Sequence, residues 1–131
     1  MLSATFARGG ITLLRRTVMS CVAEEGLAGR RLEDFVVVVN EITTNAVLHG
    51  GGGGRLRLWW RHGRLWCEVS DDGPGLPPGW TTATPPPTGF EAGGRGLWLA
   101  RLLCDQLTIV SGPAGTTVTF AAPPASPRSG P

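Results

Sequence analysis

Glu41, Asn45 and His49 stand four residues apart in the stretch NEITTNAVLHG, Asn40 to Gly50. On a helix that spacing stacks their side chains on one face, each a turn above the last. A carboxylate with a carboxamide one turn on suits metal-assisted phosphoryl chemistry. The amide oxygen is a neutral hard ligand for Mg2+, and the carboxylate can orient or deprotonate an attacking hydroxyl. A single polar pair of this kind is more often just the solvated side of an amphipathic helix, so spacing alone leaves both readings open.

Two further stretches carry chemistry under the same reservation. VSDDGPG, ending at Gly75, comes directly off an alternating run. Asp and Gly dominate turns for purely local reasons. A carboxylate fixed there at Asp71 would nevertheless accept a hydrogen bond from the exocyclic amine of adenine and find only a carbonyl on guanine. Gly73 and Gly75 would let backbone approach a ring or a phosphate. GGRGL, with Gly94, Arg95 and Gly96, leads into a helical pattern. The unpaired amides and dipole of a helix start favour an anion, although such a stretch is as readily an ordinary loop. The chain has no GxxxxGK[ST] loop, and no strand feeds these glycines as in a Rossmann turn.

The elements that must hold these residues are legible from periodicity. Ile11, Leu14, Val18, Cys21 and Val22 make a helical stripe from Ile11 to Glu24, with Gly26 as its stop. A second helix begins near Arg30 or Arg31 and carries Leu32, Phe35, Val36, Val39, Ile42, Ala46 and Val47 inward. It ends where Gly50 to Gly54 remove helix propensity at about 1 kcal/mol per glycine. RLRLWWR and RLWCEVS alternate strictly around His62-Gly63, a two-residue hairpin signal. Leu56, Leu58 and Trp60 share the covered face; Arg55, Arg57, Trp59 and Arg61 share the wet one. The glycine- and proline-rich stretch after Asp71 is a long loop of the kind that forms binding lids. A short helix with Leu97, Ala100, Leu103 and Cys104 inward follows, then strands QLTIVS and GTTVTFA. The order predicts an α/β two-layer sandwich, with helices on one face of a mixed, mainly antiparallel sheet.

Composition narrows the function classes. A chain of 131 residues with 41% apolar and 17% charged residues is one globular domain. The net charge of +2, with no run of cations, argues against nucleic acid and against an anionic membrane surface. The three cysteines form no CxxC pair and sit in apolar patterns, which reads as buried free thiols in a reducing cytoplasm. No secretion signal and no apolar run of about 20 residues is present, so a soluble, cytoplasmic protein is expected.

Taken in order, helix-borne E-x-x-x-N, strand-ending D-x-G-x-G, a loop, G-x-G-L at a helix start and a terminal G-T-x-V strand resemble the Bergerat-fold ATPases. The chain is most similar to the stand-alone anti-sigma-factor serine kinase branch of that family, over roughly Ile11 to Ala121. The resemblance implies an ATP-binding domain over residues 1–122, while the composition of PPASPRSGP reads as a disordered Pro/Ser-rich tail over 123–131. It implies Glu41 as general base, Asn45 as the Mg2+ ligand, and Asp71 on the adenine amine with Gly73 and Gly75 beside the ring. Gly94 and Gly96 would cradle phosphates, Arg95 would add charge there, and Thr116 would support the adenine pocket. His49 has either a structural or a phosphate-side role. The implied partners are ATP, an anti-anti-sigma-type protein and a sigma factor, with a homodimer in keeping with similar proteins. The alternatives are a non-catalytic ATP-binding switch, or an orphan histidine-kinase ATPase domain acting with another chain. Trp59 and Trp66 on the outer sheet face are interface candidates.

Overall fold

The computed structural model describes residues 1–77 and 94–122. The expected tail, most of the long loop, and the Arg95 side chain lie outside the described residues. In chain order the elements are β1 (Leu2–Ala7), α1 (Ile11–Glu24), α2 (Gly29–His49), β2 (Gly53–Arg61), β3 (Arg64–Asp71), α3 (Gly94–Leu103), β4 (Asp105–Gly112) and β5 (Gly115–Ala121). The strands form one sheet in the order β1-β2-β3-β5-β4. Every pairing in it is antiparallel, where a mixed, mainly antiparallel sheet was expected.

α1 has the bounds its stripe predicts, and its end has a physical cause. Gly26 sits at φ +100°, its N–H donates to the Ala23 carbonyl, and the Leu27 N–H donates to the Val22 carbonyl. This is the Schellman pattern, in which a left-handed glycine turns the chain and the residue after it packs back on the last turn. Val22 and Leu27, both buried, supply that apolar contact. The VVVV block belongs to α2, whose 21 residues present Phe35, Val38, Val39, Ile42 and Ala46 to the core. Opposite them stand the inward residues of β2, β3 and β5: Leu56, Leu58, Leu65, Cys67, Val69, Val118 and Phe120. Phe35 meets Phe120 across the layers at 5.5 Å between ring centroids. Full burial of each such large side chain contributes about 1.5–3 kcal/mol relative to exposure.

β1 has no counterpart in the sequence reading. LSATFA alternates, but its middle is Ser, Ala and Thr, too weakly apolar to stand out. Pairing explains why it forms. Phe6 lies opposite Gly54 and Ala7 opposite Gly53, so the last two glycines of the five-glycine run are strand residues. At Gly53 a Cβ would collide with the Phe6 carbonyl. The run is therefore a built segment and not only a flexible turn.

The outer sheet face behaves as the alternation predicts. Trp59 and Trp66 stack there at 6.3 Å, Arg57 lies 5.2 Å over the Trp59 ring, and Arg57 pairs with Glu68 at 2.9 Å. Trp60, on the covered face, overhangs the end of the core and stays 40% exposed. Its Nε1–H donates to Glu25 Oε1 at 2.7 Å, tying β2 to the end of α1. Cys67 and Cys104 are buried free thiols, and Cys21 is a half-buried one. Among the described residues no helix is long and apolar enough to cross a membrane.

Candidate functional site

One cleft opens between α2, the ends of β3 and β5, and the start of α3. Its polar wall is Asn45, His49, Asp71 and Thr116. Its floor is Ile42, Ala46, Val69, Leu97 and Val118, with half-buried Leu76 at the lip. As the side chains stand the cleft is nearly filled, with a free volume of about 10 Å³, room for about one water. Such a mixture, mostly apolar with a few converging polar groups, is the usual make-up of a small-molecule site.

Each polar group is placed by its element. Asp71 ends β3 on the same face as Leu65, Cys67 and Val69, because side chains alternate along a strand. Thr116 lies directly opposite Asp71 in the β3–β5 register and therefore faces the same way. Asn45 comes from α2 and is only 8% exposed, which disposes of the solvated-face reading for this residue. Glu41, a turn earlier, is half-buried. Thr43, buried beside them, directs its hydroxyl to the Val39 carbonyl at 2.8 Å and so stays out of the site.

Asp71 is held by its surroundings. The Gly73 N–H donates to Asp71 Oδ1 at 2.9 Å, and the Thr116 backbone also bonds the carboxylate. Burial is the larger influence and raises the carboxyl above its ordinary 3.8; these two amides and Arg55 pull it down, and Asp72 adds to the rise. Its neighbour Asp72 faces the other way, to solvent, in an ion pair with Arg55 at 3.1 Å. That guanidinium lowers the Asp72 carboxyl. Adjacent carboxylates thus have opposite environments because strand alternation sends one into the cleft and the other out.

α3 meets α2 at Gly96. A Cβ built there would stand 3.1 Å from the Glu41 Cβ, 3.4 Å from Glu41 Oε1 and 3.4 Å from Asn45 Nδ2. The first turn of α3 therefore lies directly against the Glu41 and Asn45 side chains, leaving a cradle that any larger residue would fill. Gly94 starts the same turn.

The cleft unites Asn45, Asp71 and Thr116, with Gly96 and Glu41 at its α2–α3 side and Gly73 pinned to Asp71. Gly75 is not a lining residue. It has φ +96°, and a Cβ there would stand 2.7 Å from the Gly112 carbonyl, so it seats the chain on the β4–β5 hairpin. Sequence reasoning overlooked three contributors. Gly50 packs against the Asp71 carboxylate. The Leu76 amide donates to Ser111 Oγ at 2.8 Å, and Ser111 Oγ lies 2.9 Å from Thr116 Oγ1. Ser111 had a signal available, since closing the SGPAGT hairpin at Gly112 and Gly115 sets it opposite Thr116.

The family profile described as "Histidine kinase-like ATPase domain" matches residues 7–122. No curated protein matches the chain. Among solved structures, the fold is similar to that of the RsbU and RsbW domains of Rv1364c from Mycobacterium tuberculosis, with TM-score 0.65 and 21% identity. That match covers 95% of this chain and 34% of the other, so the chain spans about a third of that protein's length. The histidine kinase domain of a blue-light activated histidine kinase from Erythrobacter litoralis is similar at TM-score 0.58 and 22% identity, covering 94% of this chain and 69% of the other.

Proposed function

The chain belongs to the histidine kinase-like ATPase domain family, and on that premise we propose that it is a Mg-ATP-dependent protein serine kinase of the anti-sigma type. What supports the nucleotide reading is that a carboxylate and a carboxamide, Asp71 and Asn45, face one cleft while a helix start without a side chain at Gly96 packs against the carboxamide. Gly96 and Glu41 stand against Asn45 beside that cleft.

In this reading Asp71 accepts from the adenine amine while the apolar floor takes the ring. The α3 start, bare of side chains at Gly94 and Gly96, gives its amide N–H groups to phosphate oxygens. The Asn45 carboxamide oxygen would be the hard neutral ligand for Mg2+. Held there, magnesium would supply charge neutralisation for the phosphates. Glu41 takes the proton of the acceptor hydroxyl as that oxygen bonds to the γ-phosphorus. The bond from that phosphorus to the β,γ-bridging oxygen breaks, and ADP leaves. Positioning and charge stabilisation do most of this work.

Serine as acceptor, with an anti-anti-sigma-type protein as its bearer and a sigma factor as second partner, is supported by the motif order and by the likeness to an RsbW-domain structure. An orphan histidine-kinase ATPase domain would use the same cleft with a histidine-bearing partner. The half-buried carboxylate at the phosphate side favours a catalyst over a binding-only switch, which has no use for a base there.

Calorimetric titration with ATP and with GTP, each with and without Mg2+, tests the reading. Magnesium-dependent binding of ATP alone is the expected result. Binding of neither nucleotide would overturn it.

A further inference from the structure

Three groups meet at the Asp71 end of the cleft: the amide of Leu76 and the hydroxyls of Ser111 and Thr116. Leu76 N–H donates to Ser111 Oγ at 2.8 Å, and Ser111 Oγ lies 2.9 Å from Thr116 Oγ1. The contact is permitted by Gly75, where a Cβ would stand 3.3 Å from Ser111 Oγ and 2.7 Å from the Gly112 carbonyl. Thr116 and Leu76 both line the cleft, whereas Ser111 is an exposed residue of the β4–β5 hairpin beside it.

We propose that Ser111 is a positioning residue that sets which way the Thr116 hydroxyl points its proton, and so helps select adenine. The inference rests on the nucleotide reading above. A serine hydroxyl has one proton and two lone pairs, and the Leu76 amide takes one lone pair. An oxygen that already accepts becomes the better donor, because successive hydrogen bonds polarise one another. The chain therefore runs from Leu76 N–H to Ser111 O–H to Thr116 Oγ1, which leaves the Thr116 proton for the cleft. Asp71 beside it can only accept. An acceptor next to a donor complements the amine and N1 of adenine. It opposes the carbonyl and N1–H of guanine or hypoxanthine at both points. A water held between Thr116 and the ring continues the same chain, receiving the threonine proton and giving its own to N1.

Without Ser111 the Thr116 hydroxyl is free to turn, and its preference for an acceptor is lost. The test pairs that change with deletion of the ligand atom. Wild type and Ser111→Ala are titrated with ATP and with 1-deaza-ATP, which keeps the amine but lacks the N1 acceptor. Wild type is expected to bind ATP about tenfold more tightly than the analogue, one hydrogen bond's worth of affinity. In Ser111→Ala the two affinities should converge to within about twofold, through weaker ATP binding, and Ser111→Thr should restore the gap. A purely structural role for Ser111 would weaken both nucleotides alike and leave the ratio intact, which overturns the assignment. Failure of the wild type to bind ATP at all would instead bring down the nucleotide reading, and this proposal with it.

Discussion

Gly50, the residue that ends α2, lies directly against the carboxylate of Asp71 at the end of β3. A Cβ on Gly50 would fall onto Asp71 Oδ2 and Cγ, and it would stand 2.8 Å from the Ala46 carbonyl. Gly73 is held the same way, since its own Cβ would meet the Gly50 backbone at 2.5 Å. Helix end and strand end thus approach at a point where neither has a side chain to spare.

Gly50→Ala should therefore act on both fold and site. The methyl must displace the Asp71 carboxylate or the last turn of α2, a form of overpacking that costs about 1–3 kcal/mol. ATP affinity should fall about tenfold or more, since Asp71 is among the groups displaced. Urea unfolding and nucleotide titration of the same preparation measure the two effects. An unchanged affinity would show that Asp71 does not need this contact.

Asp71→Asn should separate stability from binding. The asparagine oxygen would stay on the Gly73 N–H and turn the NH2 toward the cleft, where it meets the adenine amine donor to donor. ATP binding should drop by about a hundredfold, the loss of a charge-assisted bond. Stability at neutral pH should hold or rise, because burial has raised the Asp71 carboxyl above 3.8. For that group the native state binds the proton more tightly than the unfolded one. It therefore adds stability as pH falls through the interval from its raised value down to 3.8 and withholds it above. Asp72, lowered by Arg55, works in the opposite sense, stabilising above 3.8 and losing that as pH falls through its lowered value. ATP binding should accordingly weaken on acidification from above the ordinary carboxylate range, and thermal melts beside titrations at stepped pH will reveal it. A variant that bound ATP normally would remove Asp71 from the base site.

Glu41→Ala should leave ATP affinity within about threefold while turnover falls by roughly 10²–10⁴, the range of a lost general base. Phosphate release and titration calorimetry on one sample distinguish these. Unimpaired turnover would transfer the role to another group.

The thiols should react in an order set by burial. Burial has raised Cys67 well above 9.0 and pushed Cys104 up to about 12. Cys21, raised by lesser burial and by Glu25 and Glu24, is only half-buried. A thiol reagent at pH 8 should label Cys21 first and the other two only as the domain opens, because the thiolate must form and be reached. Mass spectrometry of partly labelled protein reads the order. Early labelling of Cys67 would contradict the packing of β3 under α2.

Periodicity made α1, α2 and the β2–β3 hairpin legible, since burying one face imposes a pattern that survives in one dimension. His62-Gly63 marked the hairpin turn for the same local reason, and both residues take positive φ, as a two-residue turn requires. β1 was not legible, because its alternation is weak in apolar residues and its place is set by pairing with residues 53–58 and by the burial of Phe6, neither of which is local.

The residue types of the site were likewise written in the sequence. The E-x-x-x-N spacing follows from the helical repeat, and the inward turn of Asp71 follows from strand alternation. Only the tertiary structure decided that these residues share a cleft, because Asn45, Asp71, Leu97 and Thr116 come from four different elements whose distances no local rule encodes. It also decided what the glycines are for. Gly50, Gly73 and Gly96 are defined by what stands opposite them, and a missing side chain leaves no pattern of its own in a sequence.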